Sequence, residues 1–274
     1  MLRESGFLVL ATLVVGMAGC SGDPVKAMLE DPNAYAHQAL TESRLPSSVL
    51  KDLHLQASTE TVRKVRINYE MNVNDRGFGG RYDLNYSYNV RDNGLVQTFV
   101  DGRQNGITVL YEFNLEYGPF NLIEEEAYPS RHKAGDLTTV RDIRSMDGML
   151  LHPAQNAKFN ADIQFATLGE FFSNVSPLLV PIKRQFKCSS KDPIAAIKIH
   201  PKLTGEAIPY TCEIYIENSL MESRTAYYYL LDYGLRIPEL IQNERGVRAY
   251  TVKTVELPED PHQPSPINRS GSRL

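Results

Sequence analysis

Val65-Arg-Ile-Asn-Tyr-Glu-Met-Asn-Val73 decides the fold class. Every odd position is apolar and every even position is polar. A strand repeats every two residues and sorts such a pattern into one dry face and one wet face; a helix would scatter it. Tyr82-Asp-Leu-Asn-Tyr-Ser-Tyr-Asn-Val90 alternates as cleanly, and Ile107-Thr-Val-Leu-Tyr-Glu-Phe-Asn-Leu-Glu-Tyr117 does so apart from Leu110. Strands with one wet face belong to antiparallel sheets, because parallel strands are covered on both sides. Turn sequences separate them: Asn74-Asp-Arg-Gly-Phe-Gly-Gly80, Asp92-Asn-Gly94 and Asp101-Gly-Arg-Gln-Asn-Gly106. This part of the chain reads as a meander.

Toward the C-terminus the pattern blurs between Pro119 and Pro181. Short strands are expected at 137–143 and 148–151. Thr167-Leu-Gly-Glu170 fits a capping box, and Leu168, Phe171, Phe172 and Val175 follow at helical spacing, which predicts a core helix stopped by Pro177. Period two returns at 182–188, 194–199, 210–217, 224–233, 239–243 and 247–257, with Glu244-Arg-Gly246 as a hairpin turn. Two strand blocks, 61–126 and 182–257, are thus joined by a helical region. They are halves of one curved sheet or two small domains. No repeat of about 20–50 residues is present, which argues against a propeller or solenoid. The expected class is mainly β with a few helices: an antiparallel meander forming a curved sheet, half-barrel or sandwich-like body over 59–257.

Ahead of the body, 20–58 reads as tether and helices. Asp23-Pro24 and Asp31-Pro32 each set an N-cap before a proline at the first helical position. Tyr35, Ala39 and Leu40 form an apolar stripe, Leu45-Pro46 ends it, and Ser48 is expected to cap a short helix through Val49, Leu50 and Leu53. Residues 258–274 are polar, rich in proline and serine and without period, as in a disordered tail.

The first residues read as an export signal, 1–19. Arg3 opens an apolar run, Phe7-Leu-Val-Leu-Ala-Thr-Leu-Val-Val-Gly-Met-Ala-Gly19, which falls short of the about 20 residues a spanning helix needs. Met17-Ala18-Gly19-Cys20 resembles the lipobox of bacterial lipoproteins, with Met17 where leucine is usual. The resemblance implies cleavage before Cys20 and acylation of that residue with palmitate-type chains. Ser21 beside it, in place of the aspartate that retains such proteins at the inner membrane, implies the periplasmic face of the outer membrane. If Cys20 is lipidated, Cys188 and Cys212 remain as a pair. In an oxidising compartment they are a disulfide by default, with two free buried thiols as the alternative. Phe186 shares a face with Cys188, as do Ile214 and Ile216 with Cys212, which suits a buried bridge between strands.

Composition excludes several classes. The net charge is −4 at pH 7, so no basic excess points to nucleic acid. The six histidines have no metal-binding spacing, and no Gly-x-Ser-x-Gly elbow is present. The loop Gly77-Phe-Gly-Gly80 precedes a strand, not the helix a phosphate loop requires. Asp136, Asp142 and Asp147 do not match a calcium loop. Glu124-Glu-Glu126 reads as a solvated strand end. No cofactor and no enzymatic activity are expected.

Tyrosine is the residue type that stands out, at 15, with no tryptophan. Tyr82, Tyr86 and Tyr88 share a face, and Tyr227-Tyr-Tyr229 puts Tyr228 opposite its neighbours. These residues suit an ordinary half-buried sheet, or a curved sheet around an amphiphilic cavity. Tyr82, Tyr86, Tyr88 and Tyr228 are the candidates to face a ligand. The anchor, the meander and Tyr228-Tyr-Leu-Leu-Asp-Tyr-Gly-Leu-Arg-Ile-Pro238 before a final hairpin resemble the half-barrel lipoproteins of the LolA/LolB type. That resemblance implies a concave sheet that carries acyl chains under a cover of helices. The expected function is envelope maintenance or carriage of a hydrophobic ligand by a membrane-anchored protein, with a lipid or a protein as partner. The alternative is an immunity or inhibitor lipoprotein that uses an acidic patch such as 124–126 against a toxin or hydrolase.

Overall fold

A computed structural model of the chain describes residues 24–53, 55, 61–76, 78–131, 133–147, 153–168 and 180–257. The signal, Cys20, the tail and the strand expected at 148–151 lie outside the described residues. Three helices come first: α1 (Pro24–Glu30), α2 (Pro32–Ala39) and α3 (Ser47–Asp52). The strands follow as β1 (Thr61–Asp75), β2 (Phe78–Arg91), β3 (Leu95–Gln104), β4 (Ile107–Tyr117), β5 (Phe120–Tyr128), β6 (Lys133–Asp147) and β7 (Lys158–Leu168). Then come β8 (Val180–Ser190), β9 (Ile194–Ala195), β10 (Glu206–Ile216), β11 (Ser219–Leu230), β12 (Leu235–Asn243) and β13 (Gly246–Glu256).

Every strand joins one sheet, and all pairings are antiparallel. Neighbours in sequence are neighbours in space from β1 to β8. There β10 takes the place beside β8, and the two-residue β9 pairs only with β10. β13 returns to β1, and β11 joins β10 to β12, so the curved sheet closes as a 12-strand barrel. Closure removes the unpaired edge that an open sheet of this length would present.

The sheet's dry side changes over at β3. Val65, Ile67 and Tyr69 of β1 stand in register with Tyr88, Tyr86 and Leu84 of β2, and their one face is buried. That face continues to Val96, Thr98 and Val100 of β3. Across the next pairing it meets Glu116, Asn114 and Glu112 of β4. Tyr111, Phe113, Leu115 and Tyr117 of β4 lie on the opposite face, outside the barrel wall, whereas Leu110 shares the inner face. β3 bridges the two regimes and is buried on both sides along 95–100.

Outside the wall the helices supply the cover. Leu40 and Val49 are fully buried, in one cluster with Leu95, Phe99, Phe113 and Leu115. Tyr35 meets Phe113 edge to face at 5.0 Å, and Gln97 Nε2 donates to the Leu40 carbonyl, 2.6 Å, at the open C-terminal end of α2. Asp31 caps α2 as expected, its Oδ1 accepting from Ala34 N. α3 starts at Ser47, directly after Pro46, so Ser48 is a helical residue and not the cap.

Between the blocks the structure departs from the expected helical link. β6, which contains the strand expected at 137–143, and β7 occupy it. Thr167 and Leu168 end β7 in register with Thr138 and Leu137, so they cap no helix; the rest of that predicted helix lies outside the described residues. The strand expected at 194–199 shrinks to β9 and a 3-10 turn, Ala196–Lys198. Only Ala196 of that turn reaches the interior, while Ile197 is exposed. The hairpin at Asn105-Gly106 needs positive φ at both residues, 51° and 78°, which glycine and asparagine tolerate.

Candidate functional site

Inside the closed wall lies a cavity of about 290 Å³. Its lining comes from nine strands and is rich in ionisable groups: Glu112, Glu116, Glu124, Glu126 and Glu222, with Arg184, Arg236 and Arg248. Tyr86, Tyr88, Tyr227 and Tyr250 add phenol rings. The register explains the gathering. Glu112 stands opposite Glu126, and Asn114 opposite Glu124, on the same face of β4 and β5. Sheet closure then brings β8 and β10–β13 around to meet them.

Each arginine on the lining has a carboxylate within 4 Å. Arg236 Nε lies 2.9 Å from Glu116, with side-chain exposures of 11% and 7%. Its other nitrogens donate to the Pro119 carbonyl and to Asn121 Oδ1, and its guanidinium sits 5.0 Å from the Tyr227 ring. Burial works against the Arg236 charge, but the Glu116 carboxylate outweighs it, so the cation is held more firmly than in water. Arg184 pairs with Glu124 at 3.4 Å and lies over the Phe165 ring. Arg248 pairs with Asp75 at 3.6 Å. It also lines a second hollow of about 410 Å³ with Tyr82, Arg76 and Arg245, at the end where the β1–β2 and β12–β13 turns meet. Gly246 makes that meeting close: a Cβ there would lie 2.0 Å from the Asn74 carbonyl oxygen.

Glu112 and Glu222 receive neutral donors instead. Asn114 Nδ2 donates to Glu112 at 2.7 Å, and Thr225 Oγ1 donates to Glu222. Burial, and then the nearby charge of Glu124, push the Glu112 carboxyl up to about 7. Burial also raises Tyr86, Tyr88, Tyr227 and Tyr250, so these phenols keep their protons and remain donors. Two buried polar atoms of the lining residues have no hydrogen-bond partner, the acceptor Asn114 Oδ1 and the donor Arg184 Nε.

The first half of β12 forms one side of this chamber. β12 meets β13 only through Leu240, Ile241 and Gln242. Before that it pairs with β11 alone. Arg236 and Pro238 face the cavity, while Leu235 and Ile237 turn into a second apolar cluster with Val65, Val90, Leu230 and Val255.

Of the residues singled out by sequence, Tyr86 and Tyr88 line the cavity. Tyr82 lines the second hollow. Tyr228 stands on the far face of β11, its hydroxyl donating to Glu239 at 2.9 Å; its neighbour Tyr227 takes the cavity position. Cys188 and Cys212 are directly opposed on β8 and β10 and form a disulfide; Cys212 lines the cavity. The run 124–126 is not a solvated strand end. Glu124 and Glu126 face the cavity, and Glu125 is buried under the helices, where it accepts from Tyr35 at 2.8 Å and from Arg44 at 2.6 Å. Alternation alone assigns Glu112, Asn114 and Glu116 to a wet face, and it does not single out Arg184, Arg236 or Tyr250. The available signal was β3: its apolar neighbours Leu95-Val96 and Phe99-Val100 point to opposite faces, so both faces are covered and the strand beside it need not face water.

No family profile matches the chain, and no curated protein sequence matches it. A crystal structure of a β-barrel-like protein of domain of unknown function DUF1849 from Brucella abortus aligns with a TM-score of 0.38 at 7% identity, over 73% of this chain and 100% of that one. So low a score adds nothing to the strand pairings. Those pairings define the class: a closed antiparallel barrel with a charged internal cavity.

Proposed function

We propose that this protein is a tethered binding barrel of the cell envelope, and that its cavity holds a small polar ligand. One observation carries the reading: a closed wall retains a space of about 290 Å³ lined by carboxylates, guanidinium groups and phenols. Ordinary cores fill such space with apolar side chains, because each buried ionisable group costs free energy unless it is paired. Binding pockets tolerate that cost because a ligand later meets the polar groups. The same lining disfavours an acyl chain, which would leave eight ionisable side chains facing hydrocarbon. The polar ligand therefore replaces the hydrophobic one that the anchor, the tyrosine-rich strands and the half-barrel resemblance suggested.

The tether rests on Met17-Ala18-Gly19-Cys20. A lipidated Cys20 holds the barrel at the periplasmic face of the outer membrane, and two or more acyl chains suffice for stable attachment. Native mass spectrometry of the gently purified protein tests the binding reading. A bound species of small mass, lost on unfolding, is the expected result. A protein that carries nothing, and that no fraction of a small-molecule extract stabilises against heat, refutes it. Growth on labelled palmitate tests the tether; no label on the native protein refutes that part.

A further inference from the structure

We propose that the cavity selects a hydroxylated organic amine of about sugar size, with its ammonium against Glu112 and Asn114 and a hydroxyl against Arg184. The proposal rests on the binding reading and names its ligand class. Charge is the first argument. The lining holds five carboxylates and three guanidinium groups, and one of those three, Arg248, is paired with Asp75, which the cavity does not include. Arg236 and Arg184 are committed to Glu116 and Glu124. Glu112 and Glu222 are left facing only the neutral donors Asn114 and Thr225. A cationic occupant balances that surplus; an anionic one aggravates it.

The second argument is independent of charge. Asn114 is 3% exposed, and its Oδ1 lacks a hydrogen-bond donor, although its Nδ2 is engaged by Glu112. Buried acceptors of this kind are rare in folded proteins and call for a partner. Arg184 Nε lacks an acceptor in the same way. The two are linked through Glu124, which stands opposite Asn114 in the β4–β5 register and pairs with Arg184. A ligand that brings an N–H donor and an oxygen acceptor on one small frame satisfies both. The rings complete the match. Arg236 over Tyr227 and Arg184 over Phe165 already show cations seated on aromatic faces of this lining, and Tyr86 and Tyr250 supply further faces.

Glucosamine, glucose and glucuronate form a suitable trio of probes, since they share a ring and differ in charge. Isothermal titration calorimetry of the purified protein at pH 7 is expected to give glucosamine at least a tenfold tighter Kd than either of the others. Glu112→Gln, which keeps an acceptor for Asn114, is expected to reduce that preference to threefold or less. Asn114→Leu removes the unpaired Oδ1 together with the donor to Glu112, and is expected to weaken glucosamine in a protein that stays folded by circular dichroism but melts at a lower temperature. Glucose or glucuronate binding as tightly as glucosamine overturns the amine class but leaves the binding barrel standing. If none of the three binds while native mass spectrometry still shows a bound small molecule, the amine class again falls alone. If no probe binds and nothing co-purifies, both readings fall.

Discussion

Glu112→Gln should make the protein more stable at pH 8 than the unsubstituted chain, and the gain should vanish toward pH 4. Proton binding is the cause. In the unfolded chain this carboxyl titrates near its ordinary 4.5; in the folded barrel burial and the acidic neighbours move it up to about 7. Between those values the native state binds the proton and the unfolded state does not. Stability then falls as pH rises through that window, because its slope follows the protons bound unfolded minus those bound folded. The difference of about 2.5 corresponds to about 3 kcal/mol, at about 1.4 kcal/mol for each tenfold change. The Glu112 side chain is half-buried, so solvent screening brings the expected gain to about 1–3 kcal/mol. Glutamine cannot ionise and keeps the oxygen that accepts from Asn114 Nδ2. Urea denaturation of both proteins at pH 4, 6 and 8 reads the effect, and titrations common to both chains cancel in the comparison. Parallel stability curves, with the same gap at pH 4 and pH 8, would refute the placement of Glu112 in a desolvated acidic cluster.

Three further outcomes are expected. Replacing both Cys188 and Cys212 with alanine opens a loop of sequence separation 24 and should cost about 3–4 kcal/mol by loop entropy, read as a lower urea midpoint that reductant no longer shifts. Arg236→Met strands Glu116 without its cation and should cost about 3–5 kcal/mol, while adding Glu116→Leu should recover most of the loss; a double variant as weak as the single one would contradict the pairing. Tyr35→Phe removes a hydrogen bond to the buried Glu125 carboxylate and should cost about 1–2 kcal/mol, with faster hydrogen exchange in α2 than in β1 as the local signature.

How far the sequence reached depends on what each stretch is asked to reveal. Val65–Val73 and Tyr82–Val90 face water on one side only, so their period of two shows directly which residues are buried, and β1 and β2 carry these stretches. The turn at Asn105-Gly106 was equally legible because its positive φ restricts the residue type, and that at Glu244-Arg-Gly246 because the approach of the Asn74 carbonyl leaves room only for glycine. β5 to β7 were not. β5 and β6 carry bulges against their neighbours, at 125/127 and at 140/142, and each bulge shifts the alternation by one residue and breaks the run that a period search needs. Closure was beyond reach for a different reason. It depends on the pairing of β13 with β1, between residues that sequence separates by almost the whole body, and nothing in either strand's own pattern names its partner.

The cavity was hidden by the change of side at β3. Alternation tells that a strand has a dry face, but not whether that face looks into the barrel or out of it. β1 and β4 alternate alike, with apolar odd positions in both, yet those of β1 point inward and those of β4 point to the helices. Had α2 and α3 been absent, Phe113 and Leu115 would be exposed, and the only way to bury them would be to turn β4 over and send Glu112, Asn114 and Glu116 into water. The helices, ordered by Asp31 at their cap and by Glu125 holding both Tyr35 and Arg44, are therefore what keeps the acidic face inside. Glu125 lies between Glu124 and Glu126, so one strand carries the latch on its outer face and the cavity-facing carboxylates on its inner face. Loosening the helices must disturb the cavity, because a strand cannot turn one face without turning the other.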